Sequence, residues 1–416
     1  MDILRGIAVL GILFANITAF SEPMILTQMP FEMRGLGIDD QWAHAIREVL
    51  ISGKMRSLLA ILFGVGLWLQ FSKRKVYEDL AQSAYDNFIG PRVWGDRLKK
   101  KHWPGTYLKR TLLLAALGLC HGLFIWFGDI LFTYALCALL AIVFVRLNDK
   151  VIFWFAAGSI GFGLFAGLGL SLLMGLTASS PESTKMWTDM PVLGLTAEIN
   201  AYTNGGYLAQ TIHRAAILLL NGFNLLFVVP PIFGLFMLGV LFGKRGTFVG
   251  GENADQDIRK MLLIGLGVGI PLNLLPIVMQ LIGQPGKLTL AVEMGFAPIL
   301  AVGILGLCLK VIPKLPGLIT DPFMRVGKVA LSCYILQSVL ATALFYSWGF
   351  RLYDKLEWEG QLIATLVIIL ICVMAAAIWT RIFTIGPVEW AWRSLSEGKR
   401  LPWREPSVGT GVSQAS

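Results

Sequence analysis

Apolar residues fall in runs of about twenty along almost the whole chain, separated by short polar segments. Twenty helical residues rise about 30 Å, which matches the hydrocarbon thickness of a bilayer. On that pattern, spans are predicted at 3–20, within 47–71, twice within 111–147, and at 151–177, 215–242, 261–282, 290–312, 329–348 and 362–385. The expectation is an all-α, polytopic membrane bundle of about ten helices, forming one domain over 1–398. A polar tail at 399–416 is expected to be disordered. Pro230 and Pro231 are expected to break or kink the sixth span, and the seventh holds Pro271 and Pro276. The first run, followed by Ala19 and Ser21, is also compatible with a cleavable leader, although Arg5 is its only basic residue.

The segment from Thr111 to Leu147 stands apart. Its 37 residues carry no charge except Asp129 and Arg146, and they contain one of the four histidines, His121. It is too long for one span and has a Gly128-Asp129 pair near its centre, so it reads as two apolar helices joined by a tight turn. An imidazole and a carboxylate are costly in or near lipid. His121 either bonds across a helix interface or does chemistry. Asp129 either caps the second helix or acts with the histidine. If the first helix continued to Asp129, eight residues would separate the two by about 12 Å, and they would meet only if the turn folds back.

Composition supports the membrane assignment. The chain of 416 residues is 56% hydrophobic and has 45 glycines, and its mean hydropathy is +0.68. Small residues let membrane helices approach closely. A net charge of +9 would suit nucleic acid if it formed one folded face, but the cations sit between spans, so no nucleic-acid partner is expected. Segments 72–110, 146–150, 243–260, 310–328 and the tail hold most of the lysines and arginines, whereas 21–46, 178–200 and 348–360 are net acidic. The positive-inside rule then places both termini and the basic loop 72–110 in the cytoplasm. The five cysteines lie within apolar runs, with no metal-type spacing.

Other polar groups interrupt the apolar runs. Lys54 and Arg56 follow Gly53 and either snorkel from a shortened span, with 40–53 lying at the interface, or line a polar cavity that meets an anionic group. Tyr334, Gln337 and Ser338 share one helical face, which either glues helices or lines a path. His213 and Arg214 precede Asn221 and Asn224, and Arg214 is expected to anchor an interface.

Five stretches carry a resemblance: DILRGIAVLGILFANI at 2–17, SLLAILFG at 57–64, His121 with WFGDILFTYAL at 126–136, GKVALSCYILQSVLATALFY at 327–346, and GPVEWAWRSL at 386–395. With these, the chain resembles the YeiB-like bacterial membrane family, domain of unknown function 418. The resemblance implies a multi-pass protein of the bacterial inner membrane that retains its first helix. The opening Asp-x-x-Arg-Gly helix, Asp2 to Gly6, is also distantly similar to that of membrane acyltransferases. Many of the bacterial ones carry a histidine late in that helix, where this chain has Asn16. The resemblance implies acyl-CoA as co-substrate, no bound cofactor or metal, and a cell-envelope lipid or glycan as acceptor. His121 would serve as base, since its pKa lies near operating pH, with Asp129 orienting it or binding the acceptor. Arg5, Lys109 and Arg110 would hold phosphates of the donor, and Asn16, Tyr334 and Gln337 would line the path. From a different class, Lys54, Arg56 and the proline-broken spans suit a transporter or flippase for a small anionic or lipidic solute, and a purely structural role for the polar groups is a third expectation.

Overall fold

A computed structural model of the protein describes residues 1–24, 26, 37–88, 103–177, 191–284 and 287–404. Among these, all regular structure is helical. Seven helical units are long and apolar enough to cross a membrane. The first is α1 (Asp2–Ser21). The second runs from Ile38 to Lys73 and joins α2 (Ile38–Leu50) to α3 (Lys54–Phe88). The others are α6 (Asp149–Thr177), α8 (Tyr207–Lys244), α9 (Ala254–Leu281), α10 (Thr289–Lys314) and α13 (Trp358–Ile382). Trp154, Phe165, Leu219, Phe223, Ile363 and Ile378 project outward from α6, α8 and α13, giving an apolar exterior of the kind that faces lipid.

The sequence pattern predicts about ten spans, and the difference lies in short helices. α4 (Thr106–Phe124) has Lys109, Arg110 and His121 within its 19 residues. α5 (Leu131–Phe144) has only 14 residues, about 21 Å of rise. α12 (Ala330–Phe345) follows α11 (Gly317–Lys328) at an angle of 85°, and counting that bent pair as one span brings the total to eight. These three helices hold His121 and the Tyr334–Gln337 face, and the connection between two of them holds Asp129.

One expectation, a break in the sixth span, is corrected. α8 runs unbroken through Pro230 and Pro231. Within a bundle, neighbouring groups and small local adjustments re-satisfy the carbonyls that prolines free, so the helix survives. α9 and α10 are instead interrupted by π-turns, at Met261–Leu266 and Val292–Phe296. The α3–α8 contact depends on Gly64 and Gly239: a Cβ at either would lie 2.0 Å from a carbonyl oxygen of the other helix. The short α7 (Leu195–Thr203) and α14 (Pro387–Glu397) lie at opposite ends of the bundle.

Candidate functional site

The site starts from the way α4 ends. The amides of Ile125 and Trp126 both donate to the His121 carbonyl at 2.9 Å, closing the last turn. The Trp126 ring then stacks on Phe20, with centroids 3.9 Å apart, and its indole donates to the Ala19 carbonyl at 3.3 Å. This docks the hairpin onto the end of α1 and reverses the chain. Asp129 comes back over Gly118, where a Cβ would lie 2.6 Å from Asp129 Oδ2 and 2.4 Å from the Phe132 nitrogen. The 12 Å spacing along a continued helix therefore does not apply, because α4 stops at Phe124 and the turn folds back.

His121 Nδ1 lies 3.0 Å from Asp129 Oδ1, and both side chains are buried. The carboxylate is out of line with the ring N–H direction, so this is a close polar contact and not an aligned hydrogen bond. Asp129 Oδ2 accepts from the Phe132 amide at 2.7 Å and so caps the first turn of α5. One carboxylate thus serves both as cap and as partner of the imidazole. Among the described residues, His121 Nε2 is buried with no hydrogen-bond partner. Tyr334 lies beside the pair, its ring centroid 5.1 Å from that of His121 and its hydroxyl accepting from the Ile130 amide at 3.4 Å. Gln337, one turn further along α12, donates to the Val9 carbonyl at 3.2 Å and ties α12 to α1. Asn16 is half-buried on α1.

α14 holds the far ends of the helices that carry this site. Glu389 accepts from the Leu331 and Ser332 amides at 2.7 and 3.2 Å and from the Ser332 hydroxyl, capping α12. Trp392 donates to the Arg110 carbonyl at 2.8 Å, and the Arg110 guanidinium pairs with Glu397 at 2.7 Å. Arg110 is therefore engaged in tying α4 to α14. At the same end, Arg5 pairs with Asp2 at 3.0 Å, and Lys109 is exposed. Arg393, which the sequence pattern did not single out, lies within the electrostatic reach of Arg110 and Arg5 and also of Glu389 and Glu397. Residues 89–102 of the expected cytoplasmic loop and 405–416 of the tail lie outside the described residues.

Lys54 and Arg56 belong to a separate cluster. Lys54 is fully buried and donates to the Glu48 carbonyl, which replaces the expected snorkelling. Arg56 donates to the Glu293 carbonyl at 3.3 Å and lies 3.9 Å from its carboxylate. Glu293 sits on the π-turn of α10, and a narrow crevice lined by Arg56, Glu293, Pro231 and Ile232 opens beside it. Spacing gave no sign that Glu293 would meet Arg56 from 237 residues away. A third cluster joins Glu198, Tyr202, Arg214, Tyr346 and Tyr353 next to the end of α4. Arg214, expected as an interface anchor, is buried there and donates to the Leu123 carbonyl at 2.8 Å. The tyrosines lie on two connectors far apart in sequence, so no local pattern pairs them.

The fold and the site together define a helical, membrane-type bundle with a buried histidine–aspartate pair between its short helices. A family model described as "Protein of unknown function (DUF418)" matches residues 242–399. "Uncharacterized protein YeiB" of Escherichia coli is 28% identical over 414 residues, covering 95% of each chain. "Uncharacterized protein YxaH" of Bacillus subtilis is 26% identical over 434 residues, covering 99% of this chain and 96% of that protein. The family-model match and these two relatives together support a YeiB-like DUF418 protein.

Proposed function

We infer that the protein is a transmembrane acyltransferase, which moves an acyl group from cytosolic acyl-CoA to a hydroxyl or amine of a cell-envelope acceptor in the bacterial inner membrane. The observation that carries this reading is the His121–Asp129 contact of 3.0 Å, with His121 Nε2 buried and unpartnered among the described residues. A base needs a nitrogen free to take a proton and a second group that holds its ring and favours the imidazolium. In the proposed step, Nε2 takes the acceptor's proton while the acceptor oxygen or nitrogen bonds to the thioester carbonyl carbon. The carbon–sulfur bond then breaks, and the CoA thiolate leaves and recovers the proton from the imidazolium. Arg5, Lys109, Arg110 and Arg393, at the end where α1 and α4 begin, supply cations for the donor's phosphates. Tyr334, Gln337 and Asn16 lie on the helices that flank the pair.

The test uses membranes containing equal amounts of wild type or His121→Ala, supplied with radiolabelled acetyl-CoA. Label should enter a lipid, glycan or protein fraction with wild type and vanish with the variant. Equal label in both removes His121 as the base, and wild-type label no higher than in membranes lacking the protein removes acetyl transfer.

A second reading, a transporter or flippase for a small anionic or lipidic solute, draws on the crevice at Arg56 and Glu293. There a π-turn in α10 faces the break between α2 and α3, and interrupted helices of this kind form solute sites in transporters. Uptake or flipping that depends on Arg56 and needs no acyl-CoA would favour it.

A further inference from the structure

We propose that the buried cluster beside the end of α4, built on Arg214 with the hydroxyls of Tyr202 and Tyr346, binds a small oxyanion group, a phosphate or a carboxylate. This site is separate from the transfer reading and does not rest on it.

Arg214 is 1% exposed. Its Nε donates to the Leu123 carbonyl at 2.8 Å, its Nη2 to the Thr211 hydroxyl at 3.0 Å, and the guanidinium lies 5.3 Å from the centre of the Tyr207 ring. Among the described residues no carboxylate forms an ion pair with it. The cluster's own acid, Glu198, directs Oε1 elsewhere, accepting from the Met24 amide at 2.9 Å and the Tyr353 hydroxyl at 3.1 Å. A guanidinium shut away from water without an anion is a costly arrangement.

The neighbouring polar atoms are also unspent. Among the described residues, the hydroxyls of Tyr202 and Tyr346 and the side-chain oxygen of Gln210 are buried without an aligned hydrogen-bond partner. The two tyrosine rings lie 4.3 Å apart, and the Tyr202 hydroxyl faces both Tyr346 and Arg214 without aligned bonding. Burial raises both phenols far above their ordinary range, so they stay neutral donors. Unsatisfied buried groups are rare in folded proteins, and several around one buried cation mark a place for a ligand. An oxyanion accepts from every donor present and neutralises the guanidinium, whereas water does only the first. Tyr202 lies on α7 and Tyr346 just after α12, so connectors, and not spans, cover the cluster.

The experiment follows the thermal unfolding midpoint of the detergent-purified full chain. Inorganic phosphate, acetate, phosphatidic acid and, as the neutral control, phosphatidylcholine are added in turn. Arg214→Gln also removes a donor to the end of α4, so the decisive variant is Tyr202→Phe with Tyr346→Phe, which keeps both rings. Wild type should gain stability with at least one of the anions and not with phosphatidylcholine. The responding probe identifies the source, whether a lipid headgroup, free phosphate or a carboxylate. The double variant should unfold at or above the wild-type midpoint, because its hydroxyls lack internal partners, and should need at least about tenfold more anion for the same shift. His121→Ala should keep the full shift, which separates this outcome from the transfer assay. No wild-type response to any anion, an equal response to phosphatidylcholine, or an undiminished shift in the double variant overturns the site. So does a double variant that unfolds below wild type before any anion is added.

Discussion

His121 and His213 each face a carboxylate inside the same bundle, yet the two pairs are built for different work. His213 Nδ1 contacts the Val192 carbonyl at 2.8 Å, and its Nε2 makes no hydrogen bond among the described residues but has a carboxylate oxygen of Glu198 3.8 Å away. Glu198 in turn accepts from the Met24 amide and the Tyr353 hydroxyl. The Val192 carbonyl calls for the proton on Nδ1, and the carboxylate is committed to fixed donors. His121 has a group facing Nδ1 only, and that carboxylate is steered by a single backbone amide. Both places join an imidazole to a carboxylate, Asp129 in one and Glu198 in the other. The difference is which nitrogen the carboxylate faces. At His213 it lies beside Nε2 while Nδ1 is bonded to a carbonyl. At His121 it lies beside Nδ1 and leaves Nε2 without a polar neighbour among the described residues, which suits a candidate base.

Asp129→Asn tests the distinction most sharply. Asparagine caps helices about as well as aspartate, so the thermal midpoint should stay close to wild type. It cannot favour an imidazolium, so acyl transfer in the radiolabel assay should fall by roughly 10²–10⁴-fold. Unchanged transfer would place His121 in the same structural class as His213. Gly118→Ala acts next most strongly, because the added methyl enters the space occupied by the Phe132 nitrogen and Asp129 Oδ2. It should destabilise the protein by about 1–3 kcal/mol in denaturant or thermal unfolding. Transfer should fall with it, as the hairpin is pushed off His121.

The mirror experiments fall on the other pair. Glu198→Gln keeps an acceptor oxygen but loses the charge, and should cost about 1 kcal/mol of stability with transfer intact. Tyr353→Phe removes one hydrogen bond to Glu198 while keeping the ring, and should cost about the same or somewhat less. Loss of transfer in either variant, at equal membrane level, would erase the contrast between the two histidines.

The apolar spans were legible in the sequence because uniform runs such as those of α1, α6 and α13 report only length and hydropathy. α4, α5 and α12 fall outside the seven long apolar units, α5 by its 14-residue length and α12 by its 85° bend from α11, and a hydropathy window detects neither. His121 and Asp129 were visible as costly polar residues. Their contact was not, because it depends on where α4 stops and on Gly118 leaving room for the returning carboxylate. Glu198 and Tyr202 share the short helix α7, whereas Tyr353 sits in the connector after α12, where no periodicity links it to them. The opening Asp-x-x-Arg-Gly motif acquires a packing reason only in three dimensions, since Gly6 lies against the Phe323 carbonyl and Arg5 against Asp2.

The clamp formed by α14 also sets an order of events during synthesis. α4 leaves the ribosome well before Glu389 and Trp392, which hold the starts of α12 and α4, Trp392 following Arg110 by 282 residues. Until then the two helices that bring His121 and Tyr334 together lack their common fastening. A chain cut before Pro387 would retain every residue of the pair and still lack the part that secures its frame. The candidate base therefore stays without this fastening until α14 has been made, and α14 then completes the frame.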